Sequence, residues 1–169
     1  MIIRKEKQQD FPAVDALIRS AFAHADHSDG TEQDLVAALR DSDAFLPPLS
    51  LLAEEAGMVI GYILFTKVNI GDGVALALAP LAVLPAFQKQ GVGKALVREG
   101  HRRAANLGFG LSVVLGSETY YPQFGYLPAA DFGIVPPFEV DSKNYMVCRL
   151  REDAAALRGT VRYAKAFGL

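Results

Sequence analysis

Residues 79–97 read APLAVLPAFQKQGVGKALV, and the pattern passes from an apolar strand through a polar turn into a helix. The start of a helix exposes about four N–H groups that have no intrahelical partner, together with a partial positive charge. Gly91 and Gly93 have no Cβ, so an anion can approach the main chain closely at this turn. Lys89 and Lys94 add positive charge. The stretch therefore predicts a site for phosphate or pyrophosphate at the start of a helix.

Two familiar phosphate motifs do not fit this turn. A Walker loop would need Gly in place of Gln88 and Ser or Thr in place of Ala95. A dinucleotide fingerprint would need three glycines, and only two are present. The alternative is a strand–helix turn that needs its glycines for geometry alone, and short glycine patterns are common enough to leave that alternative open.

Pro80 interrupts the apolar strand pattern VALALAPLAVL at residues 74–84. Proline removes a donor from the ladder of a sheet, so a strand tolerates it at an edge or at a bulge. This strand is too apolar for an edge, and we therefore predict a bulge near Ala79-Pro80-Leu81 in a central strand. Such a bulge would separate the strand from one neighbour and free N–H groups for an elongated ligand. An ordinary strand break is the alternative.

Composition restricts the class of protein. A chain of 169 residues that is 51% hydrophobic suits a single domain with a substantial core. A net charge of −2 without a dense basic run argues against nucleic acid or an anionic membrane as the main partner. The single cysteine, Cys148, excludes an intramolecular disulfide and a zinc-binding cysteine cluster, and we expect it to be a small buried hydrophobe. The charged start and the short apolar runs lead us to expect a cytoplasmic protein.

The hydrophobic patterns predict a mixed α/β (α+β) chain. The expected order is strand, two helices, three strands, helix, strand, helix, strand. The last of these helices would be short, lying within ETYYPQFGY at residues 118–126 and ending near Pro122–Gly125. His101, on the helix before it, is expected at the surface. Residues 151–169 are ambiguous; a short helix followed by an extended segment is one interpretation, and we expect them to pack on the domain formed by residues 1–150.

Two motifs in this order resemble a known family. The segment QKQGVG at residues 88–93, preceded by LAVLP at residues 81–85, resembles the acetyl-CoA motif of the GNAT superfamily of N-acetyltransferases, Arg/Gln-x-x-Gly-x-Gly/Ala after a bulged strand. The segment YPQFGY at residues 121–126 is similar to the downstream Tyr-x-x-x-Gly-Phe of that family, with Tyr126 in place of Phe. The proline-rich stretch ADFGIVPPFEV is similar to that of a bacterial branch whose substrates are mostly unassigned.

The resemblance extends from residue 2 to about residue 149 and implies the fold and the cofactor. It implies a mixed, mostly antiparallel sheet of about six to seven strands with a bulged central strand, about four helices, and acetyl-CoA as co-substrate. Main-chain groups of the bulged strand would pair with the pantetheine arm, and the glycine turn would hold the pyrophosphate. The residues that the resemblance assigns to the cofactor are Leu81, Ala82, Val83, Gln88, Lys89, Gln90, Gly91, Val92, Gly93 and Lys94.

The same resemblance assigns Tyr121 to protonation of the departing CoA thiolate. A phenol of pKa about 10 is protonated at neutral pH, and a thiolate of pKa about 8.5 is stabilised by a proton donor. Tyr120 is adjacent and could take this role, because successive residues on a helix are about 100° apart. The spacing of the motif favours Tyr121.

The sequence does not single out one base that would deprotonate the acceptor. A lysine-like amine of pKa about 10.4 is less than roughly 0.1% neutral at pH 7, so a base or a proton wire would help. Family members often carry an acid on the bulged strand, but residues 74–87 contain no Asp, Glu or His. We place Glu32 first because similar sequences carry an acid at the start of the second helix. Each candidate could instead be solvated surface, and the other candidates are His24, Asp26, His27 and Glu118.

These features predict direct transfer of an acetyl group from acetyl-CoA to a primary amine in a ternary complex. The alternatives are a non-catalytic CoA-binding or regulatory module of the same fold, and a structural protein with a glycine turn. The acceptor would be a small-molecule or protein amine, and the acidic loop at residues 23–30 favours a cationic one. No metal is expected. The resemblance also allows a homodimer, which is common in this family.

Overall fold

The computed structural model describes residues 1–169, which form three α-helices and one nine-stranded sheet. The strands follow the order β1-β2-β3-β4-β5-β8-β6, and β9 pairs with both β3 and β7. All pairs are antiparallel except β4–β5 and β7–β9, which are parallel. The elements are β1 (Ile2–Lys5), α1 (Phe11–Phe22), α2 (Glu32–Arg40), β2 (Phe45–Glu55), β3 (Met58–Ile70), β4 (Gly73–Val83), α3 (Val92–Asn106), β5 (Leu111–Leu115), β6 (Tyr126–Pro128), β7 (Ile134–Val135), β8 (Tyr145–Arg149) and β9 (Gly159–Arg162).

The predicted mixed, mostly antiparallel architecture is confirmed, but the predicted numbers of elements are wrong. The expected helix within residues 118–126 is a single 3-10 turn, Tyr121–Phe124. Pro122 has no N–H to donate, and Gly125 ends the turn in the left-handed conformation with φ of 95°. The additional strands β6, β7 and β9 are two to four residues long. Such short strands show no periodic pattern that a sequence could reveal.

The C-terminal tail is extended and forms no α-helix. Its strand β9 pairs with the end of β3, where Val161 lies opposite Ile70. Leu157 packs on β4 at Gly73, where an added Cβ would lie 2.4 Å from a Leu157 methyl group. A final 3-10 turn, Lys165–Phe167, lies beside α2. Sheet pairing and this packing stabilise the tail more than the helix propensity of its alanine run.

The helices cover the two faces of the sheet. On one face α1 and α2 pack over a buried cluster that includes Tyr62, Leu64 and Ala82. On the other face α3 packs over a cluster that includes Phe65. The approach of α3 is close because Gly100 leaves room for the Phe65 ring, which would lie 2.3 Å from an added Cβ. None of the three helices has both the length and the apolar character that a membrane crossing requires.

A buried polar network holds the end of α2 against the sheet. Arg40 pairs with Glu6 through a 2.6 Å contact between Nη2 and Oε2, and the Glu6 side chain is only 1% exposed. The Ser50 hydroxyl donates to Glu6 Oε1 at 2.8 Å and lies 2.7 Å from the hydroxyl of Tyr62. A buried ion pair needs such additional hydrogen bonds to offset its desolvation. The network fixes the position of α2, and therefore of Glu32 at its other end.

Candidate active site

The central strand β4 contains the predicted bulge. It pairs with β3 up to Leu78 and again from Leu81, and the two residues between them, Ala79 and Pro80, face a single residue of β3, Leu64. Two residues opposite one is the defining count of a β-bulge. Proline is accommodated here because the ladder is already interrupted. The prediction of a bulge in a central strand is confirmed.

The bulge opens a gap between β4 and β5. These parallel strands pair only at Leu76 with Ser112 and at Ala77 with Val113. Beyond Ala77, β4 continues to Val83 and β5 continues to Leu115, but no pairing joins them. The side of β4 that faces β5 is therefore without a ladder partner from the bulge onward.

The strand register decides which main-chain groups face this gap. The Leu84 N–H donates to the Ile60 carbonyl at 2.9 Å, so these residues form a hydrogen-bonded pair. Hydrogen-bonded pairs alternate along an antiparallel ladder, and Ala82 therefore directs its N–H and C=O toward β3. Leu81 and Val83 direct theirs to the opposite side, into the gap.

The turn after β4 presents a row of main-chain donors. Lys89 and Gly91 have φ of 61° and 89°, both in the left-handed region. No backbone N–H from Lys89 to Lys94 donates to a backbone carbonyl, and the first such bond of the helix joins the Ala95 N–H to the Gly91 carbonyl at 3.0 Å. Unpaired N–H groups and the positive end of the helix dipole together form an arrangement that binds anions.

The end of β4 and the turn after it line one cavity of about 380 Å³, the cofactor-side cavity. Lys89 and Lys94 are its only charged residues, so its electrostatic character is positive. The lining residues are Leu81, Val83, Phe87, Gln88, Lys89, Gly91, Gly93, Lys94 and Tyr120.

The remaining three residues that the sequence assigned to the cofactor lie outside the cavity wall. Ala82 belongs to the ladder with β3 and is buried. The side chain of Val92 packs into the core beside Gly61, where an added Cβ would lie 2.8 Å from Val92 Cγ1. Gln90 is exposed, and its side-chain amide donates to the Ala86 carbonyl at 3.0 Å. Of these three residues, Gln90 and Val92 can contribute to the site through their main-chain groups. Ala82 cannot, because its main-chain groups pair with β3.

The two adjacent tyrosines occupy different places. Tyr120 lines the cavity, and its hydroxyl would lie 2.7 Å from a Cβ added to Gly93. Tyr121 lies behind it, with the two rings edge-on at a centroid distance of 5.1 Å. The Tyr121 ring fills the space left by Gly116, the residue after β5. Burial raises the pKa of both hydroxyls, and more strongly that of Tyr121, so both groups carry their protons at neutral pH.

Glu32 lies on the other face of the sheet from α3. It is the first residue of α2 and lines a separate cleft of about 340 Å³, and Asp29, Asp34 and Phe167 also line that cleft. One carboxylate oxygen, Oε2, is buried without a hydrogen-bond partner. The cleft and the cofactor-side cavity share no lining residue. Tyr121 is buried behind Tyr120 and lines neither of them, so the structure does not bring Glu32 and Tyr121 together in one cavity.

The other predicted base candidates are exposed. His24, Asp26 and His27 lie in the loop between α1 and α2. Glu118 follows β5, and its carboxylate accepts a hydrogen bond of 2.8 Å from the Asn144 side-chain amide. Hydrogen bonds from its own backbone N–H and from Asn144 lower the pKa of Glu118. A carboxylate with a lowered pKa is the weaker base.

The surface position predicted for His101 is wrong. The imidazole is partly buried between the rings of Phe65 and Tyr126, and Nε2 lies 3.0 Å from the Tyr126 hydroxyl. Burial lowers the pKa of His101 to about 4. The signal was available in the sequence, because His101 follows Val97 by four residues and precedes Ala104 by three, which places it on the apolar face of α3.

The buried imidazole makes stability depend on pH. The unfolded chain protonates His101 near pH 6.5, whereas the folded chain resists protonation down to about pH 4. The unfolded state therefore binds more protons in this range, and stability falls as the pH falls below 6.5. We expect the free energy of unfolding, measured with urea, to fall by about 1–2 kcal/mol more between pH 6.5 and 5 in the wild type than in His101→Gln.

His24 and His27, the other two histidines, are exposed and serve as the internal reference, since His101→Gln leaves them unchanged. Above pH 7 the difference in free energy between the two proteins should not vary with pH. Parallel curves from pH 7 down to pH 5 would contradict the assignment of a neutral buried imidazole.

Cys148 is buried, as predicted, and burial raises the pKa of its thiol to about 11. A thiol with a raised pKa is a poor nucleophile at neutral pH. No group of three or more His, Cys, Asp or Glu side chains in the chain could hold a metal ion. The side chains with polar groups that line the cofactor-side cavity are Gln88, Lys89, Lys94 and Tyr120.

Comparison with known proteins agrees with this geometry. Residues 11–126 match the model of the Acetyltransferase (GNAT) family. YhbS of Escherichia coli K12, an uncharacterized N-acetyltransferase, is 34% identical over 170 residues, which cover 99% of this chain and 98% of YhbS. YjhQ of the same organism, also an uncharacterized N-acetyltransferase, is 37% identical over 141 residues, which cover 79% of this chain and 78% of YjhQ.

Two solved structures are also similar over nearly the whole chain. YhbS from Escherichia coli in complex with CoA has a TM-score of 0.90 at 31% identity and covers 99% of this chain and 92% of its own. A GNAT family acetyltransferase from Brucella melitensis in complex with acetyl-CoA has a TM-score of 0.82 at 33% identity, covering 98% and 97%. With its bulged strand, the unpaired N–H groups at the start of α3 and these relatives, the chain belongs to the GNAT acetyltransferase family.

Proposed function

We propose that this protein transfers the acetyl group of acetyl-CoA to a primary amine by direct transfer in a ternary complex. The observation that carries the proposal is the continuity of one cavity, which runs from the free main-chain groups of β4 to the unpaired N–H groups at the start of α3. An elongated molecule with amide groups at one end and a diphosphate at the other is complementary to it. The relatives with CoA and acetyl-CoA bound support this choice of co-substrate.

The main chain would supply most of the binding. Leu81 and Val83 face the gap and would pair with the amides of the pantetheine arm as a neighbouring strand would. The Val83 carbonyl already accepts a hydrogen bond of 3.1 Å from the Gln88 side-chain amide, so its N–H is the group left for the ligand. The N–H groups from Lys89 to Lys94 would hold the pyrophosphate, because a helix start stabilises negative charge.

Tyr121 would act as the general acid. When the neutral amine attacks the thioester carbonyl, a C–N bond forms, the C–S bond breaks and the sulfur leaves as a thiolate. Tyr121 would donate its proton to that thiolate, and burial favours the protonated phenol until that step. The Tyr121 hydroxyl makes no hydrogen bond to another side chain, so its proton is available for this step.

Glu32 would accept the proton that the amine loses. Its buried Oε2 has no hydrogen-bond partner, so it is free to accept a hydrogen bond from a water molecule. Asp29 and Asp34 line the same cleft and would favour a cationic acceptor. Because this cleft is separate from the cofactor-side cavity, the proton would travel through water.

Replacement of Glu32 by Gln tests this role. We expect kcat/KM for the amine at pH 7 to fall by about 10–100-fold. General base catalysis contributes about 10²–10⁴-fold, and in the variant water can still accept the proton, so part of that contribution is kept. The loss should shrink as the pH approaches the pKa of the amine. Asp34→Asn is the matched control, since it removes one charge from the same cleft but not the buried carboxylate. Equal losses in both variants, or a loss independent of pH, would remove Glu32 from the mechanism.

The function itself is tested by release of free thiol from acetyl-CoA in the presence of a panel of amines and peptides with free N-termini. We expect release that requires an amine and gives intersecting initial-velocity lines, as a ternary complex demands. Parallel lines would indicate a covalent acetyl-enzyme and contradict direct transfer.

A non-catalytic CoA-binding module is the second candidate function. It is favoured by one observation, the absence of any acid or histidine on β4. Calorimetry separates the two candidates. Micromolar binding of acetyl-CoA without thiol release across the whole panel would support the binding module and exclude the transferase.

A further inference from the structure

A hydrogen-bonded tyrosine lies behind the proposed general acid. Tyr126, the first residue of β6, is fully buried. Its hydroxyl lies 2.8 Å from Ser112 Oγ and 3.0 Å from His101 Nε2. A phenol hydroxyl can donate one hydrogen bond and accept others, so it can donate to a neutral imidazole at Nε2 and accept from the serine. The two contacts come from β5 and α3, so the position of the phenol is fixed relative to both elements.

Tyr121 depends on this ring for its orientation. The rings of Tyr121 and Tyr126 meet edge-on at a centroid distance of 5.6 Å and an angle of 79°. Because the Tyr121 hydroxyl is not held by another side chain, ring contacts alone direct it. The Tyr121 ring contacts the rings of Tyr120, Phe124 and Tyr126, and Gly116 leaves space for it at the end of β5. Of these three rings, Tyr126 alone is fully buried and is held by hydrogen bonds to both β5 and α3.

The hydroxyl of Tyr126 is an addition to the motif, which has Phe at this position. The aromatic ring alone is sufficient for packing against Tyr121. The hydroxyl adds the two hydrogen bonds that join this ring to Ser112 and to His101, and α3 carries His101 and, at its start, the anion-binding turn. The same helix thus supports both the binding end and the proton-donating end of the proposed site.

We infer that Tyr126, held by Ser112 and His101, is a positioning residue that orients Tyr121 for proton transfer to the leaving thiolate. The inference rests on the proposed function, in which Tyr121 is the general acid. Tyr126 itself touches neither the cavity nor the reacting atoms, since it is fully buried and does not line the cavity. It acts through the Tyr121 ring.

The test is Tyr126→Phe, which keeps the ring and removes the hydroxyl. With acetyl-CoA and the best amine of the panel, kcat should fall by about three- to tenfold, because small displacements of a catalytic group are costly. KM for acetyl-CoA should stay within about twofold, since the cavity is unchanged. In a Tyr121→Phe background the same substitution should have no further effect on kcat, as expected for two residues that act through one step.

A second measurement does not depend on activity. In protein labelled with ¹³Cζ-tyrosine, the Tyr121 resonance, assigned with Tyr121→Phe, should move or broaden in Tyr126→Phe. It should not change in Tyr163→Phe, which removes a hydroxyl from a different hydrogen-bonded pair, Tyr145 and Tyr163. If Tyr126→Phe does not fold, Ser112→Ala removes one of the two hydrogen bonds and should give the same changes at smaller size.

An unchanged kcat, an additive loss in the double variant or an unchanged Tyr121 resonance would each overturn the inference. If no amine is acetylated, the proposed function fails, and the resonance of Tyr121 then decides alone whether Tyr126 orients it. The two failures are therefore distinguishable.

Discussion

Replacement of Tyr121 by Phe is expected to lower kcat for acetyl transfer by about 10²-fold, the lower end of the contribution of general acid catalysis. The substitution removes one oxygen atom from a ring that packs between Tyr120 and Tyr126. That oxygen makes no hydrogen bond to another side chain, so its removal leaves no buried polar group unpaired. Stability and the affinity for acetyl-CoA should therefore be nearly unchanged, and the loss should lie in kcat alone.

Tyr120→Phe is the matched control for this prediction. Tyr120 lines the cofactor-side cavity, and its hydroxyl lies over Gly93. Its loss should change KM for acetyl-CoA by a few-fold at most, with little change in kcat. Steady-state kinetics on both variants distinguish the two hydroxyls. A large loss of kcat in Tyr120→Phe, together with an unchanged kcat in Tyr121→Phe, would show that Tyr120 is the general acid and Tyr121 is not.

Replacement of Gly93 by Glu is expected to weaken acetyl-CoA binding by about 30-fold or more, since a carboxylate would occupy the space where the anion approaches the main chain and would repel the anion. The added Cβ would lie 3.8 Å from both Leu81 Cδ2 and Val83 Cγ2, on the floor of the cavity. Gly93 lies in the first turn of α3 with ordinary backbone dihedrals, where an acidic side chain is favourable, so the fold should be about as stable as the wild type. Isothermal titration calorimetry with acetyl-CoA measures the change in Kd.

The Tyr120 hydroxyl complicates the single variant, because it would lie 2.7 Å from the new Cβ. The double variant Gly93→Glu/Tyr120→Phe removes that contact. If the loss of affinity comes from blocking the pyrophosphate, it should persist in the double variant. Recovery of wild-type affinity in the double variant would show that displacement of Tyr120, rather than loss of the main-chain site, caused the effect.

The local features of the site could be predicted because single residues dictate them. Pro80 cannot donate to a ladder, so a bulge follows wherever the surrounding strand is buried. Gly91 adopts a left-handed conformation that few other residues tolerate, so its presence before a helix indicates a special turn. These are chemical properties of one residue and its neighbours, and they do not depend on distant parts of the chain.

Features that depend on register or on distant packing could not be predicted in this way. The register between β3 and β4 decides that the main chain of Ala82 faces β3 and that of Leu81 faces the gap. That register cannot be predicted from the sequence of β4 alone. The apolar face of α3 could have indicated that His101 is buried, but not its hydrogen bond to Tyr126, which lies 25 residues further along the chain. The separation of Glu32 from the cofactor-side cavity depends on which face of the sheet α2 covers.

The most direct test of the central claim is a crystal structure of this protein with CoA. The account predicts pyrophosphate oxygens within about 2.7–3.2 Å of the N–H groups between Lys89 and Lys94, and pantetheine amides paired with Leu81 and Val83 but not with Ala82. Electron density for the diphosphate away from the start of α3, or a pantetheine arm outside the gap between β4 and β5, would contradict it.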